Sequence, residues 1–345
     1  MSAVVAEQAT DLSKQYDTPL GLTHSTMQVL KDRIKLHYDL ASDYYLSLWG
    51  EHIHHGYWPT QESEATQTKE EAQANLIQLL LDISKLPPES SVLDVGCGIG
   101  GTSRYLASKH GSSVTGITIS TKQVEIANRL TKAALENEAS TPAASDDDGF
   151  IKLSDGQVKF LELDAEKMGD FFDDQQGSFD AVWISEALSH FPNKALFFKN
   201  VMKVLKPGGK LVLADWFKAE NLDDATFTND IKPIEGKVPR KTLVFLSLIS
   251  ADGMLLPPLC TQQGYLDLAR QAGLAMFADP KDISQQVRKT WDITWSLVQN
   301  PSLWAFAFTQ GRDGIAFLQS FRAMRRGYAT GSFRYAVMVF NKGIA

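Results

Sequence analysis

The alternation of apolar and polar positions along this chain changes period repeatedly, and each change marks an element. Short apolar runs at 92–95, 113–120, 157–164 and 179–186 are too brief for helices and predict buried strands, with a turn and a fifth strand over 205–216. Between them the period lengthens. Positions 72, 76, 79, 80 and 83 keep helical spacing from about 69 to 84, and Pro87-Pro88 stops that helix ahead of the first strand. A further helix begins near Thr102. Another runs from Thr261 to Gly273 with a threonine start and a glycine stop, and 283–328 reads as long, helical and aromatic. Strands near 275–279 and over 333–340 follow, the last closing the sheet. Strands alternating with helices predict an α/β fold with a doubly wound, mostly parallel sheet. The same pattern divides the chain into a helical arm (1–60), a core (61–216), a late helical lid with core elements (217–330) and a closing strand (331–345). Residues 137–149, rich in Ser, Ala, Pro and Asp, read as a surface insertion outside the chemistry.

One stretch points to a ligand. Val92-Leu-Asp-Val-Gly-Cys-Gly-Ile-Gly-Gly101 passes from strand through glycines into helix, which brings backbone N–H groups and a helix N-terminus close together. Gly96, Gly98 and Gly101 also satisfy the dinucleotide spacing, so the glycines by themselves leave NAD open. Asp94 tips the balance, because a carboxylate at the strand end suits a cationic amine better than a pyrophosphate. NAD enzymes also place an acid at the end of the second strand. Here that strand ends in neutral groups, Thr118 and Ser120, followed by Gln123, and these can hydrogen-bond a ribose as well. Cys97, between glycines, reads as a small residue tolerated there rather than as a nucleophile.

Composition narrows the partners. With 34 basic and 41 acidic residues the net charge is −7, and no basic block favours nucleic acid. Two cysteines suggest a reducing compartment. No apolar run approaches a membrane span, and the N-terminus lacks a signal-peptide core, so a soluble, cytoplasmic protein is expected. The oligomeric state is left open.

The glycine stretch resembles the first motif of class I S-adenosylmethionine-dependent methyltransferases, whose core is a Rossmann-like sheet. The segment 37–58, dense in aromatics and histidines, is either an aromatic clamp on the core or a lid over a sulfonium ligand, whose charge aromatic faces favour. Within it, Tyr38-Asp-Leu-Ala-Ser-Asp-Tyr-Tyr45 is similar to the opening of cyclopropane fatty acid and mycolic acid methyltransferases. Trp49-Gly-Glu-His-Ile-His-His-Gly-Tyr57 is closer still to plant γ-tocopherol methyltransferases, as is the Met-Arg-Arg-Gly-Tyr segment that ends at Tyr328.

The resemblance implies S-adenosyl-L-methionine as cofactor and assigns its site. Asp94, Gly96, Cys97, Gly98 and Gly100 belong to the glycine loop, and Tyr38, His54 and His55 to the arm. Thr118, Ile119 and Gln123 lie near the ribose, Asp164 and Ala165 near the adenine, and Ser185 and His190 after the fourth strand. Asp164 has a second reading as the cap of the following turn. Glu186 is implied as the group that steers or deprotonates the acceptor, or else as a helix cap, with His190 beside it. Where the tocopherol pattern has a second glutamate this chain has Ser189, so a base role at that position does not carry over. The implied activity is methyl transfer to a carbon or nitrogen of an apolar small molecule, a specialised metabolite. The alternatives are O-methylation and a catalytically silent cofactor-binding subunit.

Overall fold

The computed structural model describes residues 31–138, 148–235, 256–299 and 312–344, apart from positions 33, 36, 37, 40, 41, 44 and 48. Expectations that fall on Tyr44, Trp304, Phe306 and Phe308 lie outside the described residues. Residues 31–49 are helical wherever described. Two short connections then lead into α1 (Gln61–Thr66) and α2 (Lys69–Ser84), each opened by a threonine capping box. The core continues through β1 (Ser91–Val95), α3 (Gly101–His110), β2 (Ser113–Thr118) and α4 (Thr121–Glu138). A hairpin of β3 (Ile151–Leu153) and β4 (Gly156–Glu162) follows, then β5 (Phe179–Ser185), α5 (Lys194–Val204) and β6 (Leu205–Lys218). The chain ends with α6 (Gln262–Ala272), β7 (Leu274–Asp282), α7 (Lys289–Val298), α8 (Arg312–Thr330) and β8 (Phe333–Lys342).

The strands form one eight-stranded sheet in the order β3-β4-β2-β1-β5-β6-β8-β7. Pairings among β4, β2, β1, β5 and β6 are parallel, which makes this the expected doubly wound α/β sheet. Successive strand residues feed opposite faces. Val92, Ala181, Trp183, Val212 and Val337 join the core beneath α2 and α3, while Leu93, Val182, Ile184, Leu213 and Met338 join the core beneath α5 and α6.

Three details depart from the sequence reading. The last strand does not close the sheet at its edge: β8 lies between β6 and β7, antiparallel to both. Its central run Tyr335–Phe340 is buried on both faces, which only an interior position satisfies. The 283–328 stretch is not one helix, and its described parts are a turn at Ser284–Val287, α7 and α8. In α2 the buried side extends past Ala72, Leu76 and Leu80 to Gln73, Ile77 and Leu81. That helix covers the sheet with one flank and holds the arm with the other.

Candidate active site

Asp94, next to last in β1, is buried and paired across the sheet with Gly116 and Trp183. Burial pushes its carboxyl up to about 6, against the pull of the Ser103 hydroxyl, which donates to Oδ2 at 2.6 Å. Such a carboxyl is short of positive charge and gains by meeting an ammonium. The turn that follows is bolted to β2 by the amides of Gly96 and Cys97, which both donate to the Ile117 carbonyl at 2.9 and 3.0 Å. Beyond them the backbone faces a cavity of about 40 Å³, lined by Glu51, His52, Ile53, His54, Asp94, Gly96, Cys97, Gly98, Ile99, Gly101, Thr102 and Ser185. Gly98, at φ +55°, has nothing within 4 Å of where a Cβ would stand, so the turn leaves a cradle there. Burial pushes the Cys97 thiol well above its ordinary value, which agrees with an inert small residue.

The arm roofs this cavity. A Cβ on Gly101 would lie 2.1 Å from the Glu51 carbonyl oxygen, so only glycine lets the arm settle on the first residue of α3. Arg104 donates to the Ile99 carbonyl and to Glu51 Oε2, and Gln73 Nε2 donates to the carbonyls of His52 and His54 at 2.6 and 3.0 Å. His54 gives its Nδ1 proton to the His55 carbonyl at 2.9 Å, and burial holds the ring below its ordinary pKa. Its buried Nε2 is then an acceptor with no partner among the described residues. The cavity is far smaller than ligand sites of a few hundred Å³.

The end of β2 holds an acid after all, delivered by tertiary structure. Asp39 of the arm accepts from the Ser120 hydroxyl at 2.5 Å and from the Lys122 amide at 3.4 Å. Thr118 and Gln123 bond to each other at 2.6 Å, with Ile119 next in the chain. At the end of β4, Asp164 caps the following turn through the Glu166 amide and takes Lys31 on its other oxygen at 2.9 Å, so its cap reading has direct partners. Ala165 beside it is buried. None of these residues lines the small cavity.

Glu186 follows β5 in a left-handed conformation, φ +57°, that a bulky residue adopts only when its surroundings enforce it. Its carboxylate accepts from the His55 amide at 2.7 Å, from His55 Nδ1 at 3.0 Å and from the Tyr335 hydroxyl at 2.9 Å. Burial raises this carboxyl, but the His55 and His54 rings together with the bonds from His55 outweigh that and hold it below its ordinary value. Its partners lie on the arm and on β8, so the helix-cap reading has no bond to support it. His55 is 2% exposed and does not line the small cavity; its ring is 5.1 Å from Trp291, 5.9 Å from Trp216, 6.1 Å from Tyr328 and 5.0 Å from Tyr335. With Nδ1 turned to the carboxylate, Nε2 is left buried in that aromatic cage without a partner among the described residues. His190 meets Tyr38 across 3.5 Å and packs edge-on to Trp216. Burial, with Glu186 nearby, pushes Tyr38 up to about 12, so the phenol stays protonated.

Sequence reasoning missed Asp215. It is fully buried within β6 and accepts from the amides of Ser189 and Trp216 at 2.7 and 2.8 Å, and from Tyr265 at 3.3 Å. Burial pushes it up to about 7. It pins the loop that carries Ser189 and His190.

A methyltransferase-domain family model matches residues 93–213, and a model of the mycolic acid cyclopropane synthetases matches residues 25–146. This chain is a class I S-adenosylmethionine-dependent methyltransferase. It is similar to the chloroplastic tocopherol O-methyltransferase of Arabidopsis thaliana, 28% identical over 332 residues, 92% of this chain and 84% of that one. It is also similar to the 2-methyl-6-phytyl-1,4-hydroquinone methyltransferase of Synechocystis, 42% identical over 170 residues, 49% of this chain and 45% of that one. Among solved structures, the cyclopropane synthase MmaA2 of Mycobacterium tuberculosis shares the fold at a TM-score of 0.65 and 18% identity, over 90% of this chain and 98% of that one. The methyltransferase uses S-adenosyl-L-methionine, which supplies a sulfonium-activated methyl group when bound. The Asp94 carboxyl, the unpartnered His54 Nε2 and the cradle at Gly98 fit its amino-acid end. No helix among the described residues is long and apolar enough to cross a membrane.

Proposed function

We propose that this enzyme methylates an apolar small molecule whose reacting group is an N–H, an O–H or the ring of a phenol, and that His55 receives the proton. The Glu186–His55 pair carries this reading. The carboxylate fixes the Nδ1–H tautomer and leaves the Nε2 lone pair facing the aromatic cage, the arrangement by which a carboxylate orients and supports a histidine base. A carboxyl held low is itself a poor proton acceptor, so Glu186 acts as the positioning group and as counter-ion to the imidazolium. Ser185 and His54 line the cofactor cavity, and the next residue on each segment belongs to the pair, which sets the base beside the cofactor. A phenolate carries nucleophilic density on ring carbon as well as on oxygen, so carbon and oxygen methylation follow from which atom faces the donor. The hydroquinone and tocopherol named for the relatives are acceptors of this kind.

For the cofactor, Asp94, Gly96, Cys97, Gly98, Gly100, His54 and Ser185 hold the amino-acid side in this reading. Thr118, Ile119, Gln123, Asp164 and Ala165 flank the nucleoside side, and Tyr38 with His190 bridges the two. Residues 217–330 then supply the acceptor pocket. Two unpaired cysteines agree with a cytoplasmic enzyme.

Alignment of donor and acceptor supplies most of the rate, roughly 7–11 kcal/mol, and a base adds about 10²–10⁴-fold. His55→Gln is therefore expected to lower turnover of a phenol or amine acceptor by about 10²–10⁴-fold. The affinity for S-adenosylhomocysteine should meanwhile stay near wild type. A folded variant that keeps more than a tenth of the rate overturns the base assignment.

A further inference from the structure

A second cavity, of about 770 Å³, lies against the far side of the aromatic cage and is lined by Arg288, Trp291, Asp292, Trp295, Arg322, Arg325, Arg326, Tyr328 and Ala329. Its size is that of a site for a small organic molecule. Four guanidinium groups face one carboxylate there, on a chain whose net charge is −7. Arg325 is taken by Asp292 at 2.9 Å and stands over the Trp295 ring, and Arg326 is taken by Asp230 at 2.8 Å. Arg288 and Arg322 have no carboxylate partner among the described residues, and the chain between α7 and α8, 299–311, contains no Asp or Glu. Trp291 and Tyr328 belong both to this cavity and to the ring cage around His55, so cavity and cage share a wall.

We infer that this cleft binds the acceptor and that the acceptor carries an anionic group, a carboxylate or phosphate, at the end remote from its reacting atom. The guanidinium fork matches the two oxygens of such a group and also stacks on aromatic faces. Trp291, Trp295 and Tyr328 would cover the apolar body, while Arg288 and Arg322 take the charge. The inference rests on the reading of residues 217–330 as the acceptor side. An anionic membrane surface offers the same charge, but a cleft of this volume favours a single small molecule.

The test compares dodecanoate and dodecyl phosphate with dodecanol, each below its micellar concentration, by titration calorimetry on the full chain. The anions are expected to bind at least about tenfold more tightly than the alcohol, with a preference that shrinks as salt rises. In R288Q/R322Q the preference should fall to within about twofold, and Arg322→Lys should keep only part of it. S-adenosylhomocysteine affinity and melting temperature are measured in the same variants to show that the fold and the cofactor site are intact. Equal binding of anion and alcohol, or a preference that survives in the double variant, overturns the inference. So does arginine-dependent binding to phosphatidylglycerol vesicles without binding of the soluble anions, which would mark a lipid surface. Failure of the wild-type chain to bind S-adenosylhomocysteine would instead strike the methyltransferase reading itself.

Discussion

The two halves of this active site are built in opposite ways. The half proposed for the cofactor has a frame that is local in sequence: Asp94, the glycine turn and the start of α3 occupy one short run, their geometry follows from strand, turn and helix in succession, and the arm and Ser185 close round that frame. The half around His55 is assembled from six segments, with the arm giving His55, the end of β5 giving Glu186, β6 giving Trp216, and α7, α8 and β8 giving Trp291, Tyr328 and Tyr335. A local site tolerates change elsewhere in the chain. An assembled one depends on every element that frames it, so damage should spread differently in the two halves.

Trp291→Ala offers the strongest test of that contrast. The side chain is 4% exposed, meets His55 edge-on and packs on Tyr328 and Phe321, so its removal should cost about 3–5 kcal/mol of stability. Turnover should fall with it, whereas cofactor affinity per folded molecule should hold, as calorimetry at low temperature would reveal. Equal loss in both halves would mean that the site is a single cooperative unit.

Next in size is Asp94→Ala, expected to weaken S-adenosylhomocysteine by about 1.5–3 kcal/mol without disturbing the His55 cage. The pH dependence sharpens it. In the free protein this carboxyl stands at about 6, so below that pH it is neutral and cannot pair with an ammonium. Wild-type affinity should fall as pH drops through about 6, and Asp94→Asn should show a flat, weak profile. A wild-type profile that is flat across this range would remove Asp94 from the ligand.

The smallest effect falls where the halves meet. Gln73→Ala deletes the two bonds that hold the arm carbonyls of His52 and His54, for a loss of about 1–2 kcal/mol. Hydrogen exchange should speed up at residues 50–58 in preference to β1 and β2. Uniform acceleration would show that the arm does not move as its own unit.

How much of this was legible in the chain varies with contact range. The helix expected from about 69 to 84 is α2, because its capping box, its periodicity and the prolines after it are all local signals. The glycine turn was legible for the same reason. The order of the last strands was not: each contains an apolar stretch, and packing against β6 gives β8 the interior place. Likewise the arm could be seen to be aromatic, yet its histidines could not be told apart. His54 lines the cofactor cavity and His55, one residue on, turns to Glu186.

The sequence by itself determined the alternation of strands and helices, the glycine turn with its acid at position 94, and the methyltransferase family. Each of these is written in neighbouring residues, where backbone conformation and side-chain period act over a few positions. Tertiary structure alone decided that Asp39 reaches the end of β2, that Asp215 pins the loop after β5, and that Glu186 spends its carboxylate on His55 and Tyr335. Those bonds join residues dozens to more than a hundred positions apart, for which the chain carries no local signal. What fixes them is the requirement that a buried charge or polar group find its partner wherever the fold brings one within reach.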